Sequence, residues 1–390
     1  MKTVAVVHII TKLELGGAQQ NTLFTVAHLD RGRFRPYLIT NPEGILVPEA
    51  QALKGVQTFF IPELVREINP LRDVRALFQI RKILQGIKKA GSAMICHTHS
   101  SKAGILGRWG AQLAGADAII HTIHGFGFHD YQPISIRYFI IFLEKVTAWI
   151  TDTFIAVSQA TIQKGVEAGI FPAKKATMIR SGIELEEFAD VKVNRRDKKN
   201  ELGVDPTLPL VTMIGCLKPQ KAPLDYVEVA YRVLQKKDAC FILVGDGILR
   251  ERVEKQADEL GVGGRFRLLG WRRDIPEILA ATDIFCLTSL WEGLPRVLPQ
   301  AMAAGLPIVA TGVDGTPEAV IHGENGFITQ SGDTQAMAER ICYLLDHPQE
   351  AKGMGQYGKE NVREFDIWRM VREQEDLYLK ILREKGRGGG

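Results

Sequence analysis

Short β-branched and apolar runs alternate with amphipathic stretches along the whole chain, the pattern of βαβ units and parallel sheets. In the first half, Val4 to Ile10, Tyr37 to Thr40, Met94 to His97, Ala118 to Ile123, Phe154 to Val157 and Thr177 to Ile179 read as strands, with helices between them. The rhythm breaks over 191–208, a polar, charged stretch that reads as a linker. It then restarts with strands at Leu210 to Gly215, Phe241 to Val244, Phe266 to Leu268, Ile284 to Leu287 and Pro307 to Ala310, and helices from Pro223, Ile248, Pro276, Pro295 and Thr334. The expected fold class is α/β, with doubly wound parallel sheets over 1–190 and 209–365. A last helix, Asp366 to Arg383, has no strand behind it and could pack on either domain. The terminal Gly-Arg-Gly-Gly-Gly is expected to be disordered.

Composition narrows the class. With 390 residues, 45% of them hydrophobic and 24% charged, the chain is too long for one core and too apolar for disorder. Its most apolar stretch, Ile134 to Ile150, is interrupted by Arg137, Glu144 and Lys145, so a spanning helix is not expected. The N-terminus runs directly into a strand without a cleavage signal, and the cytoplasm is the expected location. Five scattered cysteines read as small core residues of a reducing compartment. The net charge of +4 is too modest to argue for nucleic acid as a partner. It hides one strongly basic segment, 66–89, with seven basic residues against two acidic ones.

In open parallel sheets ligands bind beyond the carboxyl ends of strands, so the strand-to-helix loops carry the candidate chemistry. After the first strand, Gly16, Gly17 and Gln19 open a helix where backbone can approach a phosphate or sugar. Five of the nine histidines fall in one stretch, His97, His99, His121, His124 and His129. Their spacing raises a metal site, but carboxylates are few nearby and alternate strand positions face opposite ways, so none is expected. His97 and His121 read as satisfied core histidines, whereas His124, in the loop His124-Gly-Phe126, reads as facing a ligand. His99, Ser100 and Lys102 open the preceding helix. Gly245 lies in a Gly-Asp-Gly turn that lacks the third glycine of a dinucleotide fingerprint.

In the second half, the loop Gly215-Cys216-Leu-Lys218-Pro-Gln-Lys221 places two lysines at a strand end, suited to phosphate. The most specific segment is Glu292-Gly293-Leu294-Pro295-Arg296, with Gln300 further along the helix that follows. A carboxylate at a strand end, then a helix start with bare N–H groups, suits sugar hydroxyls followed by a diphosphate.

At 292–307 the sequence resembles the GT-B glycosyltransferases of family 4, a retaining family marked by an E-x7-E motif. The resemblance extends over GGAQ at 16–19, HTHSSKAGILGR at 97–108, HTIHGF at 121–126, AVS at 156–158, SGI at 181–183, GCLKPQK at 215–221 and VGDG at 244–247. It is closest in pattern to members that build bacterial exopolysaccharide, capsule or lipid-linked glycans. It implies two facing Rossmann-like domains, an acceptor domain and a nucleotide-sugar donor domain, with 366–385 returning to the first. The catalytic residues it implies are His124 near the donor sugar, Lys221 on the leaving diphosphate and Glu292 on sugar hydroxyls. Donor binding falls to Gly16, Gly17, Cys216, Lys218, Gly245, Gly293, Leu294, Pro295, Arg296 and Gln300, and acceptor binding to Gln19, His99, Ser100, Lys102 and Phe126.

Two positions depart from the family's pattern. Cys216 stands where an arginine is usual, leaving Lys218 and Arg296 as nearby cations, and Gln300 replaces the second glutamate. No Asp-x-Asp occurs, so metal-independent transfer is expected, with no cofactor and the nucleotide sugar as substrate. The expected partners are a nucleotide-sugar donor, UDP-linked first, a glycan or polyprenol-linked acceptor, and an anionic membrane surface met through 66–89. Two other readings stay open at this level: a nucleotide-sugar epimerase and a non-catalytic sugar-nucleotide binder.

Overall fold

The apolar runs pair into two wholly parallel sheets, and the computed structural model describes residues 3–91 and 93–386 of the chain. Most of the terminal Gly-Arg-Gly-Gly-Gly therefore lies outside the described residues. One compact unit ends at Gly182 and resumes at Ile367; the other spans Ile183–Asp366.

The first unit holds β1 (Val4–Ile9), β2 (Phe34–Thr40), β3 (Gln57–Phe60), β4 (Met94–His99), β5 (Ala118–Ile123), β6 (Thr153–Ala156) and β7 (Ala176–Met178), in the order β3-β2-β1-β4-β5-β6-β7. Its helices are α1 (Gly17–His28), α2 (Val47–Ala52), α3 (Pro70–Lys88), α4 (Ser101–Ala114), α5 (Ile134–Ala148) and α6 (Gln159–Glu167). Right-handed crossovers place α3, α4 and α5 on one face of this sheet. There Ile80, Leu84 and Ile87 of α3 and Ala103 and Ala111 of α4 pack on Val7, Ile9 and Cys96. On the other face the C-terminal helix, Ile367–Glu384, buries Ile367, Met370, Tyr378 and Ile381 against Val6, Phe34, Ile95 and Ile120.

The second unit holds β8 (Leu210–Ile214), β9 (Cys240–Val244), β10 (Phe266–Gly270), β11 (Ile284–Leu287), β12 (Ile308–Thr311) and β13 (Gly326–Thr329), in the order β10-β9-β8-β11-β12-β13. Its helices are α7 (Leu185–Phe188), α8 (Arg195–Glu201), α9 (Pro223–Leu234), α10 (Arg250–Glu259), α11 (Ile275–Ala281), α12 (Val297–Ala303), α13 (Thr316–Ala319), α14 (Thr334–Asp346) and α15 (Pro348–Asn361).

Three expectations are corrected. The stretch 191–208 is not a free linker. Asn194 caps α8, Lys198 reaches Asp274 at 2.5 Å, Lys199 reaches Asp283 at 3.0 Å, and Leu202 and Val204 join the second core. A charged composition concealed these buried stems, since lysine can bury its methylenes while its ammonium finds carboxylates. The edge strands β3 (Gln-Thr-Phe-Phe) and β13 (Gly-Phe-Ile-Thr) are additional; both are four residues long and hold only two strongly apolar residues each. The helix expected from Pro295 starts at Val297, because Leu294 and Pro295 are buried in the turn before it.

Strand order reverses between β1 and β4 in the first sheet and between β8 and β11 in the second. At such switch points the loops after adjacent strands diverge and leave a crevice. The loops after β1, β4, β8 and β11 contain most of the candidate residues.

Candidate active site

In the first unit the site begins with a polar residue inside an apolar strand. His8 of β1 is fully buried, and its Nδ1 lies 2.9 Å from Nε2 of His99 on β4. Nδ1 of His99 lies 3.1 Å from Nε2 of His124, in the loop after β5. In the other direction, Nε2 of His8 faces the Tyr378 hydroxyl at 3.4 Å, and that hydroxyl is 2.6 Å from Nδ1 of His97. Nε2 of His97 meets Thr122 Oγ1 at 2.6 Å, closing a chain of four imidazoles, a phenol and a threonine.

Burial pushes His8 down to about 3, and burial followed by neighbouring imidazoles holds His97 and His99 well below the usual histidine range. These rings are neutral, each with one N–H and one acceptor. One nitrogen from each of His8, His97 and His99 falls within 4.8 Å of the others, a spacing that a metal could exploit, but their hydrogen bonds already run through the chain. His99 has both ring nitrogens directed at histidines, supports His124 and lines the same cavity as that ring. His121 is separate: its Nδ1 meets Thr98 Oγ1 at 2.9 Å. Gly104 makes room for that ring, since a Cβ there would stand 2.5 Å from its Cε1.

His124 lines two small cavities, one with Asn21, Thr122, Arg180 and Gln374, the other with Ser100, Ser101 and Phe126. Ser100, at φ 60°, stands just before α4 and turns its hydroxyl to Thr11 Oγ1 at 2.8 Å. Lys102 pairs with Asp73 at 2.6 Å and donates to the Glu67 carbonyl. Gln19 donates to the Lys12 carbonyl at 3.3 Å, just beyond Gly16 and Gly17 at the start of α1. Phe126 packs on Phe128 with ring centroids 4.7 Å apart.

Asn21 was not anticipated. It is 3% exposed, and neither its amide nitrogen nor its oxygen has a partner among the described residues. Its place inside α1 resembles an ordinary surface asparagine; only the fold shows it lining the His124 cavity.

In the second unit the site is an ion pair. Lys221 and Glu292 bond at the carboxyl ends of β8 and β11, with side chains 17% and 7% exposed. Ser289 Oγ donates to the same carboxylate at 2.7 Å, and Gln220 donates to the Trp291 carbonyl at 3.0 Å. Asp314 accepts from the Glu292 amide at 2.7 Å and fixes the carboxylate's backbone. Gln220, Ser289 and Asp314 lie in loops legible from sequence, but their convergence is not. Gly215 leaves the Lys221 stem its path, since a Cβ there would sit 3.3 Å from Lys221 Cγ. Gly245, at φ +133°, lies so close to Gly215 that a Cβ would fall 2.1 Å from its carbonyl oxygen, which only glycine permits.

Cys216 is a half-exposed free thiol and Lys218 precedes the short turn that presents Lys221. Gly293 accepts from the Gly315 amide at 3.1 Å. Arg296 is pushed down to about 10 by burial, against which Glu184 and Glu187 act, so it stays charged within that acidic surrounding. Gln300 lies on α12, one turn beyond Arg296.

Residues 15–187 match the family model described as Glycosyltransferase Family 4, and residues 194–361 match Glycosyl transferases group 1. An Escherichia coli UDP-Gal:alpha-D-GlcNAc-diphosphoundecaprenol alpha-1,3-galactosyltransferase is 31% identical, over 98% of this chain and 98% of that protein. The chain belongs to the GT-B glycosyltransferases of family 4. This glycosyltransferase is also 23% identical to a Campylobacter jejuni N,N'-diacetylbacillosaminyl-diphospho-undecaprenol alpha-1,3-N-acetylgalactosaminyltransferase, over 87% of this chain and 91% of the other. Its fold is that of the Anabaena HepE protein solved with UDP and glucose, at a TM-score of 0.81, 21% identity, 96% coverage of this chain and 99% of that one. The family's relatives include glycosyltransferases of bacterial lipid-linked glycan and capsule synthesis.

Proposed function

We propose that this glycosyltransferase moves a hexose from a nucleotide diphosphate sugar, UDP-linked first, to a glycan or polyprenol-linked acceptor, with retention of configuration and without a divalent metal. The observation that carries the reading is the Lys221–Glu292 pair, a cation and a carboxylate held by Ser289, Gln220 and Asp314 at a sheet's switch point. On donor binding, Lys221 neutralises the leaving diphosphate and Glu292 accepts from sugar hydroxyls. A fixed cation of this kind stabilises charge where it develops, without reorganisation.

The bond between the anomeric carbon and the diphosphate oxygen breaks first, through an oxocarbenium-like state. The acceptor hydroxyl then attacks from the face the diphosphate leaves, and its proton passes to the departing phosphate. His124 reads the donor sugar, with His99 and His8 holding its ring. Gly245 and the turn Gly293–Arg296 take the rest of the nucleotide, Gln300 its ribose, and the first unit the acceptor. The Escherichia coli and Campylobacter relatives, with their diphosphoundecaprenol acceptors, support a lipid-linked substrate reached at a membrane. The basic segment 66–89 supports attraction to anionic lipid.

The test is a matrix of UDP-, GDP- and ADP-sugars against polyprenyl-diphosphate-linked acceptors, with the product anomer assigned by NMR. Transfer from a UDP-hexose with the donor's anomeric configuration is expected. UDP binding without transfer to any acceptor, or an epimerised donor in the absence of acceptor, would sink the reading.

A further inference from the structure

Among the described residues no helix is long and apolar enough to cross a membrane, yet α5 is built inside out for a water-facing helix. Its inward side carries Glu144, which meets Arg108 at 2.6 Å, and Thr147, which accepts from Trp109 Nε1 at 3.2 Å, beside Ile141 and Ala148. Its outward side carries Ile134, Tyr138 and Phe142, at 71%, 64% and 60% exposure, with Trp149 at 83% just past its end. A helix this apolar is ordinarily buried, and its aromatic residues are ordinarily the part that is hidden.

The surface does not stop at α5. Crossover handedness puts α3, α4 and α5 in one layer; Ile80 of α3 packs against Gly110 of α4, and Trp109 of α4 bonds to α5. Helices that follow parallel strands all run in the same sense, so the α3 and α5 N-termini lie at the same edge. There α3 and its cap segment expose Ile68 and Leu71, at 77% and 76%, followed by Val74 and Phe78. Among these apolar positions stand Arg72 and Arg75, with Lys82 one turn beyond Phe78, all exposed.

We propose that this layer is a lipid-docking surface: the aromatic face of α5 enters the boundary between headgroups and acyl chains of an anionic membrane, while the cations of α3 meet headgroup phosphates. This deepens the membrane-proximal reading above and rests on it. The occupant follows from charge. Within 66–89 Arg66 pairs with Glu14 and Lys88 with Asp117, and the exposed Arg72, Arg75 and Lys82 keep the surface basic; these cations favour a surface of phosphates, whereas a second copy of this chain would set them against one another. Exposed Tyr and Trp beside Ile and Phe are the side chains suited to an interface with one wet and one apolar side.

The experiment sediments the full chain with vesicles of phosphatidylcholine alone or of phosphatidylcholine with phosphatidylglycerol. Partition onto the anionic vesicles is expected, falling about tenfold or more for Tyr138→Ser/Phe142→Ser and for Arg72→Gln/Arg75→Gln/Lys82→Gln, the latter mimicked by added salt. Circular dichroism and UDP titration of both variants should match the parent, and transfer from UDP-sugars to a water-soluble acceptor, assayed without vesicles, tests the enzymatic reading separately. Failure to bind either vesicle, or equal binding by parent and Tyr138→Ser/Phe142→Ser, overturns the proposal. So does a vesicle-free dimer that the same double substitution dissolves, which would assign the face to a second copy.

Discussion

His99 Nδ1 stands 3.1 Å from His124 Nε2, and because both rings belong to one hydrogen-bonded chain, the proton on either nitrogen is not an independent choice. If His99 donates to His124, its Nε2 must accept from His8 Nδ1, and His8 then offers Nε2 to the Tyr378 hydroxyl. The reverse order reverses all three rings, and the Tyr378 hydroxyl, with Gln374 Oε1 at 3.3 Å as a second acceptor, can serve either. The tautomer His124 presents is thus set as far away as the C-terminal helix.

This chain makes stability depend on acid. His8, His97, His99 and His121 are all held below their usual range, chiefly by burial, so the unfolded chain binds protons that the folded one refuses. Stability is then flat above about pH 7 and falls as pH drops through the unfolded value near 6.5, by up to about 1.4 kcal/mol per pH unit for each such histidine. Thermal unfolding between pH 8 and pH 5 should show a loss steepening below about 6.5, and a pH-independent melting temperature would refute it.

Lys221→Gln should lower turnover by about 100- to 1,000-fold at saturating donor, because its cation acts on charge that grows in the transition state. An unchanged kcat would remove Lys221 from that role.

Treatment with EDTA should leave transfer intact if Lys221 alone meets the leaving charge. Loss of activity, restored by a divalent cation, would direct attention to an ion on the diphosphate or at the His8, His97 and His99 cluster.

Asn21→Leu separates folding from function. A buried amide without partners costs about 1–3 kcal/mol, so an apolar residue of similar size should raise the melting temperature or leave it unchanged. Transfer should nonetheless fall, since Asn21 shares a cavity with His124. A more stable variant with full activity would show that the amide serves no ligand.

Arg108, fully buried, has Glu144 at 2.6 Å as its carboxylate partner, and it also donates to the Gly104 carbonyl at 2.8 Å. Glu144→Ala should cost about 3–5 kcal/mol in denaturant unfolding, by leaving a buried cation unpaired, whereas Arg108→Met/Glu144→Leu should recover most of it. Equal losses in the single and double variants would refute the charge explanation.

Much of this site was legible residue by residue. Lys221 and Glu292 stand out in the sequence as loop residues at strand ends, and the structure joins them in one ion pair. His124 was separated from His97 and His121 because it lies past its strand. What the sequence hides is pairing across the chain: nothing local to β1 or to the C-terminal helix joins His8 to Tyr378, which stand 370 residues apart. The Lys102 partner is equally hidden: Asp73 of α3 stands 29 residues away in the chain, and only the fold pairs the two.

By itself the sequence determined the two-sheet α/β class, the loops that bear chemistry and the family, because strand periodicity, glycine placement and motif spacing are local properties of the chain. Only the tertiary structure decided which polar groups meet and which apolar groups stay out. The register of β1, β4 and β5 aligns His8 with His97 and His99 with Thr122, and so builds the histidine chain. The packing of α5 turns Glu144 inward and Tyr138, Phe142 and Trp149 outward, the opposite of what hydropathy alone assigns. There Glu144 meets the buried Arg108, beside Ile141 and Ala148 in the core: a cation withdrawn from water needs its carboxylate inside, and the periodicity of the helix leaves the aromatic residues on the remaining face.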